Sequence, residues 1–296
     1  MSYVGEFAGL ATALCWTVTA MSFQFASRRI GSVLVNLIRL VFAFLFYLVY
    51  CKITLGHWLP LDAPLKAWIY LSISGLIGFV LGDFFLFKSY EYVSSKISML
   101  VMTLAPPIAA VLGWIMISEP FSLMNGLGMV LVLGGVALVV LKRDTENGEK
   151  KLRYPLKGIL LAFGGAVGQG VGSVFSKIGM GDYDPFASSQ IRVITGVIGF
   201  AIMISFMGQW KNIRPGLTDR KVSTALLIGS FFGPFLGVSL GMVAFKHTSL
   251  GVASTLMATV PVFILLPSHL LFKERLTINE VIGAMVAVGG IIVFFL

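Results

Sequence analysis

Two arginines carry most of the chemistry this sequence could perform. Arg39 and Arg192 each stand about seven residues inside a long apolar run. A guanidinium at the centre of such a run costs roughly 2.5–3.5 kcal/mol on insertion scales unless it is paired or hydrated. Each is therefore either a binding group for a solute or a snorkelling side chain that caps a neighbouring helix, and both readings are open from sequence. Trp16 and Gln169 lie in the middle of two other runs. Tryptophan prefers the membrane interface, where Trp58, Trp68 and Trp210 belong. A central Trp and a central Gln are placed to line a partly polar cavity, with plain packing as the competing reading. Pro106 and Pro261 fall mid-run, and each removes a backbone donor and frees a carbonyl one turn earlier. Thr103, Thr259 and Ser98 are near enough to satisfy such carbonyls, so the prolines read as hinges or cavity edges.

Acids are scarce within the runs. Asp83, near the end of the third, is the one carboxylate close enough to act as a proton-coupling group, although an interfacial position is expected for it. Glu6 and Glu91 fall at a helix start and in a loop, and His269 reads as structural. No nucleophile–base arrangement and no metal-ligand spacing occurs, and Cys15 and Cys51 form no disulfide framework. The expectation is a protein that is not an enzyme, with no catalytic residues, no metal and no cofactor.

The elements that must position these residues are membrane helices. The chain has 296 residues and is 57% hydrophobic but only 12% charged, against roughly 25% charged for a soluble domain. Its apolar residues come in ten continuous runs, at about 4–26, 33–52, 66–87, 95–117, 123–141, 158–176, 186–207, 222–245, 250–272 and 278–296. Continuous runs, unlike stripes, suit helices surrounded by lipid or by one another. The second half repeats the first. Gly78 and Gly82 return as Gly233 and Gly237, Pro106 as Pro261, Glu119 as Glu274, and Gly134-Gly135 as Gly289-Gly290, all at one spacing. At a slightly shorter spacing Gly5 returns as Gly158 and Arg39 as Arg192. The expected fold is an all-α membrane protein of ten transmembrane helices. Residues 1–142 form one five-helix repeat, 143–157 a charged and solvated linker, and 158–296 the second repeat. An odd number of spans per repeat inverts the second half relative to the first, the construction that supports alternating access with a midplane site. Small residues four apart, Gly164-Gly168-Gly172 and Gly229-Gly233-Gly237-Gly241, predict close helix contacts.

Charge sets the expected orientation. Of the Lys and Arg outside the runs, sixteen fall on the linker side and four on the terminus side. The positive-inside rule then places the linker in the cytoplasm and both termini outside. Basic residues that flank spans do not form a nucleic-acid patch. The implied partners are the lipid bilayer, a small-molecule substrate and, for a coupled carrier, protons. One chain holds both halves, so a monomer suffices.

The terminal segment of each half carries a resemblance to a known family. In the first half, residues 104–110 read Leu-Ala-Pro-Pro-Ile-Ala-Ala, 118–122 Ser-Glu-Pro-Phe-Ser, then Gly126-Leu-Gly and Gly134-Gly. In the second, 259–263 read Thr-Val-Pro-Val-Phe, 273–277 Lys-Glu-Arg-Leu-Thr, then Gly283 and Gly289-Gly290. Over essentially its full length the chain resembles the EamA-type, ten-helix members of the drug/metabolite transporter superfamily. An Arg early in the second helix of each half, as at Arg39 and Arg192, is usual there. The resemblance implies an exporter or exchanger of small metabolites with a central cavity lined by both halves, in an inner or plasma membrane. Glu119 and Glu274 match the family's motif and read as groups at helix N-termini. Many members place a basic loop between the second and third helices, whereas 57–66 here is nearly neutral; a family-based guess of cytoplasmic termini thus conflicts with the sixteen-to-four charge count, which is followed instead. With two Arg and few internal acids, the expected solute is an amino acid or another neutral or anionic molecule, bound by Trp16, Arg39, Gln169 and Arg192. The alternatives are a proton-coupled drug or cation exporter using Asp83, and a non-transporting membrane protein such as a lipid scramblase.

Overall fold

The computed structural model describes residues 3–117, 122–141, 143–146, 149–247, 253, 256–272 and 277–294. Glu119 and Glu274 lie outside the described residues. The helices are α1 (Val4–Ile30), α2 (Ser32–Leu55), α3 (Leu65–Ser89), α4 (Ser95–Met116), α5 (Leu123–Val140), α6 (Leu156–Met180), α7 (Pro185–Met207) and α8 (Arg220–His247), with the shorter α9 (Val260–Leu271) and α10 (Ile278–Val293). Among the described residues the first eight are long and apolar enough to cross a membrane. Their ends follow from local chemistry. Gly31 at φ 83° breaks α1 from α2, and Gly56 and Gly208 stop α2 and α7 with left-handed backbones that cost glycine no Cβ clash. Asp184 and Asp219 accept the first free amides of α7 and α8, with Pro185 opening α7.

The linker differs from the expected tether. Arg143–Glu146 and Glu149–Leu152 form an antiparallel ladder, β1 and β2, with Arg143 opposite Leu152 and Glu146 opposite Glu149. Asn147 and Gly148 stand between the strands in the sequence, a pair favoured in two-residue hairpin loops. A charge-based reading registers the solvated composition and passes over that turn signal.

The helices pack in pairs. α1 lies along α8, α3 along α6, α2 against α7 and α5 against α10. Glycines set the closest approaches, as their spacing predicts. A Cβ on Gly168 would sit 2.5 Å from the Gly82 Cα, and one on Gly172 would sit 3.0 Å from the Gly78 Cα. α6 and α3 therefore meet backbone to backbone. On the opposite side Gly233 and Gly237 of α8 receive Thr19 and Trp16 of α1 in the same way.

Two irregularities recur in corresponding helices. α3 and α8 each widen to i→i+5 hydrogen bonding, over Gly75–Gly82 and Phe231–Gly237, a form that is concentrated at functional sites. α4 is interrupted at Thr103-Leu104 and the chain entering α9 turns at Ala258-Thr259, in each case just ahead of a proline. There the Thr103 and Thr259 hydroxyls donate to the Leu100 and Leu256 carbonyls, both at 2.6 Å.

Gly168→Val is expected to destabilise the protein by about 1–3 kcal/mol through overpacking against α3. Gly134→Ala, where an added Cβ meets nothing within 4 Å, is expected to leave stability within about 0.5 kcal/mol of the parent. Thermal unfolding in detergent distinguishes the two; equal midpoints would refute the backbone contact.

Candidate functional site

A cavity of about 190 Å³ lies between the two halves, and Trp16, Arg39, Asp83, Pro106, Gln169, Arg192 and Pro261 all line it. All seven residues singled out in the sequence thus meet in one place. Most of the remaining wall is apolar, including Phe79, Leu86, Met99, Met102, Met242 and Met257. A few polar groups in an apolar wall is the usual composition of a small-molecule site, and the volume is below the ~300–1,000 Å³ of drug-sized pockets.

The position of Asp83 corrects the interfacial expectation. It is buried at 5% exposure, and its carboxylate forms an ion pair with Arg39. Gln169 Nε2 donates to the other carboxylate oxygen at 2.7 Å. Arg39 Nε donates to Asn36 Oδ1 at 2.9 Å, and Asn36 Nδ2 reaches back to the Asp83 carbonyl at 3.3 Å. The Phe87 ring lies 4.6 Å from the Arg39 guanidinium carbon. The pairing follows from antiparallel geometry. Arg39 is about two turns from the start of α2 and Asp83 about two turns from the end of α3. Those ends meet on the linker side, so the two side chains share a depth. That matching depth is legible in the sequence, as is Asn36 one turn before Arg39. Distance from the helix end, taken alone, points Asp83 to the interface.

Arg192 has a different environment. It is 6% exposed, and its Nε is buried without a hydrogen-bond partner. Among the described residues no carboxylate forms an ion pair with it. Its guanidinium carbon lies 4.5 Å from the Phe79 ring centroid. The bare backbone of Gly78 leaves room beside it: a Cβ there would sit 3.4 Å from Arg192 Nη2 and 3.9 Å from Gln169 Oε1. The cavity therefore holds one guanidinium paired directly with Asp83 and one that no carboxylate contacts, with Asp83 acting on it only at longer range. Chemically this arrangement can accept a carboxylate or another small anionic or acceptor group, with Trp16 and the methionines around its apolar part.

On the linker side the bundle is closed by polar contacts that the sequence reading missed. Gln24 Oε1 accepts from the Ser95 amide at 2.5 Å, and Arg28 Nε donates to the Tyr90 carbonyl at 2.9 Å. Lys96 and Glu280 form a buried ion pair at 3.1 Å, with the Tyr154 hydroxyl donating to the second Glu280 oxygen. In sequence Lys96 and Glu280 read as ordinary helix-end charges, and nothing in either local segment announces the partner. The cavity lining extends the other way, to Lys177 and Phe245 near the terminus-side ends of α6 and α8. On that side the Tyr183 hydroxyl, in the α6–α7 loop, donates to Asp62 Oδ1 at 2.8 Å, and Gln190 Nε2, in the first turns of α7, donates to the Trp58 carbonyl at 2.8 Å. Burial and the Asp62 carboxylate together hold the Tyr183 hydroxyl well above the usual tyrosine range, so it remains a donor.

A multi-pass apolar bundle with a charged cavity between its halves defines a membrane protein of the transporter type. Residues 3–141 and 156–296 each match the EamA-like transporter family, and the chain belongs to that family. An uncharacterized transporter of Archaeoglobus fulgidus is 23% identical over 97% of this chain and 96% of its own length. Human solute carrier family 35 member G1 is 26% identical over 50% of this chain, a match that spans 42% of that protein. A protein of known crystal structure shares the fold, with a TM-score of 0.63 at 18% identity over 99% of this chain and 96% of its own.

Asp83→Ala leaves Arg39 buried without its carboxylate and is expected to destabilise by about 3–5 kcal/mol. The double replacement Arg39→Met with Asp83→Leu removes both charges and is expected to recover most of that loss. Denaturation of Arg39→Met, Asp83→Leu and the double variant closes a mutant cycle; additive losses would show that the pair is not coupled.

Proposed function

We propose that the protein is a secondary transporter that moves a small anionic or neutral organic solute, such as a carboxylate or an amino acid, by alternating access. The observation that carries this reading is the Arg192 guanidinium, its Nε unbonded and without a direct ion pair among the described residues, in a cavity where Arg39 is already answered by Asp83. That leaves a site biased toward negative charge. Trp16, Arg39, Gln169 and Arg192 form the binding wall, and Pro106 and Pro261 let α4 and α9 bend beside it. The proposed architecture is ten spans in two inverted five-helix repeats. It is supported by the two family matches and by helix pairs that map onto each other when the halves are exchanged. It is supported too by the matching irregularities in α3 with α8 and α4 with α9. The charge asymmetry supports a cytoplasmic linker with both termini outside, so the closed end of the cavity faces the cytoplasm in this conformation. A monomer is sufficient, since both halves of the cavity come from one chain.

A second reading, a proton-coupled exporter of drugs or cations, draws support from the burial of Asp83 inside the cavity. Its carboxylate, however, is engaged by both Arg39 and Gln169, which leaves it less free to trade a proton for a cation. A lipid scramblase would need polar groups along a lipid-facing groove, and here they converge on the cavity between the halves.

Purified protein in proteoliposomes is expected to enrich small anionic or neutral solutes from a mixed metabolite pool. Arg192→Gln is expected to lower uptake of an anionic solute about 10- to 100-fold, the loss of a hydrogen bond to a charged group. Transport of a permanent cation, unaffected by neutralising either arginine, would overturn the anion reading. Loss of pH-driven efflux in Asp83→Asn with Arg192→Gln unimpaired would establish the proton-coupled exporter instead.

A further inference from the structure

The two arginines are repeat partners, yet only one has a carboxylate, and the reason can be located at a single position. In α3 the widened segment Gly75–Gly82 ends immediately before Asp83. In α8 the widened segment Phe231–Gly237 ends immediately before Val238. Sequence register agrees, because Gly78 and Gly82 correspond to Gly233 and Gly237. Val238 is therefore the structural counterpart of Asp83, and both line the cavity. α7 and α8 pack against each other in the second half, so by repeat register the position equivalent to Asp83 holds an apolar side chain, while the Arg192 guanidinium itself lies against Phe79 and Gly78 of α3.

We infer that the anionic group of the solute occupies the place beside Val238 and Arg192 that the Asp83 carboxylate occupies beside Arg39. The inference rests on the anion reading proposed above and assigns it a position and a selection rule. The first half is neutralised from within by its own acid, and the second half is neutralised only when a carboxylate-bearing solute arrives. Val238 is thus a specificity-determining residue: its lack of charge keeps the counterion position vacant for the solute. Gln169 holds one Asp83 carboxylate oxygen through its 2.7 Å hydrogen bond while Arg39 holds the other, so no direct bond from that carboxylate is left for Arg192.

The test installs the missing acid. Acetate, lactate, benzoate and malate serve as probes, and the readouts are the melting temperature of purified protein in detergent and uptake of the same radiolabelled probes into proteoliposomes. At least one probe is expected to raise the melting temperature of the parent and of Val238→Asn, the uncharged isostere of aspartate. Val238→Asp is expected to lose that shift, to lose uptake by at least tenfold, and to melt higher than Val238→Asn without any probe. A shift and uptake retained by Val238→Asp, with Arg192→Gln still defective, would overturn the inference while leaving the anion reading intact. No response of the parent to any probe would overturn both. If Val238→Asp does not fold, Val238→Cys is folded first and then treated with a carboxyethyl or a methyl methanethiosulfonate, using the parent treated identically as control. Loss of uptake with the carboxyethyl group alone supports the inference, and equal effects of the two reagents refute it.

Discussion

The rest of the structure is arranged around the cost of a guanidinium inside an apolar bundle. Removing such a charge from water costs several kcal/mol even after relaxation, and a partner repays it only with good geometry and further hydrogen bonds. Arg39 has all of these: the Asp83 carboxylate, the Asn36 amide oxygen and the face of Phe87. Meeting that requirement draws α2 and α3 together, and Gln169 extends the network to α6 in the other half. The interface that results is narrow enough that only glycine fits at Gly168, where a Cβ would stand 2.5 Å from the Gly82 Cα. Charge satisfaction and backbone contact thus act on the same helix pair, and the cavity is the space these contacts leave open.

A duplicated architecture makes departures from symmetry informative. Arg39 and Arg192, the two widened helices and the two proline interruptions are all kept in both halves. The acid is kept in one only. If both guanidinium groups had internal carboxylates, the cavity would be neutral and fully bonded, with nothing for a charged solute to add. If neither had one, two buried cations would oppose each other across a small space. One paired and one unpaired guanidinium gives a stable bundle that still has electrostatic free energy available on binding.

The sequence showed the helices, their register and the residues that line the cavity, because each leaves a local mark. A run of apolar residues, a proline in its middle or an Arg two turns from its end is readable without any partner. Trp16 and Gln169 were identifiable by the same means, since each is out of place at mid-run. Contacts between distant segments left no such mark. Asp83 looks interfacial when its distance to the helix end is considered alone, and Lys96 with Glu280 looks like two solvated charges. The Tyr47 hydroxyl, which bonds the Pro234 carbonyl and Ser239 inside the widened part of α8, is equally silent in sequence. These pairings depend on which helix faces which, and that is set by packing across the whole bundle.

The positions of the irregular segments bear on how such a bundle could move. The widened turn of α3 meets α6 glycine to glycine, whereas that of α8 receives the Thr19 and Trp16 side chains of α1, so side-chain interdigitation opposes sliding less at α3 than at α8. The interruptions before Pro106 and Pro261 already depart from regular helical bonding, so bending there breaks little of the backbone ladder. Resistance comes instead from the linker side, where Lys96, Glu280 and Tyr154 join the start of α4, the start of α10 and the approach to α6. Within an alternating-access cycle, opening that side must separate a buried ion pair, whereas closing the other must bring Lys177 and Phe245 inward over the cavity. The free energy for the first step has to come from the second and from the solute. A guanidinium that is satisfied only by that solute is a physical source for it.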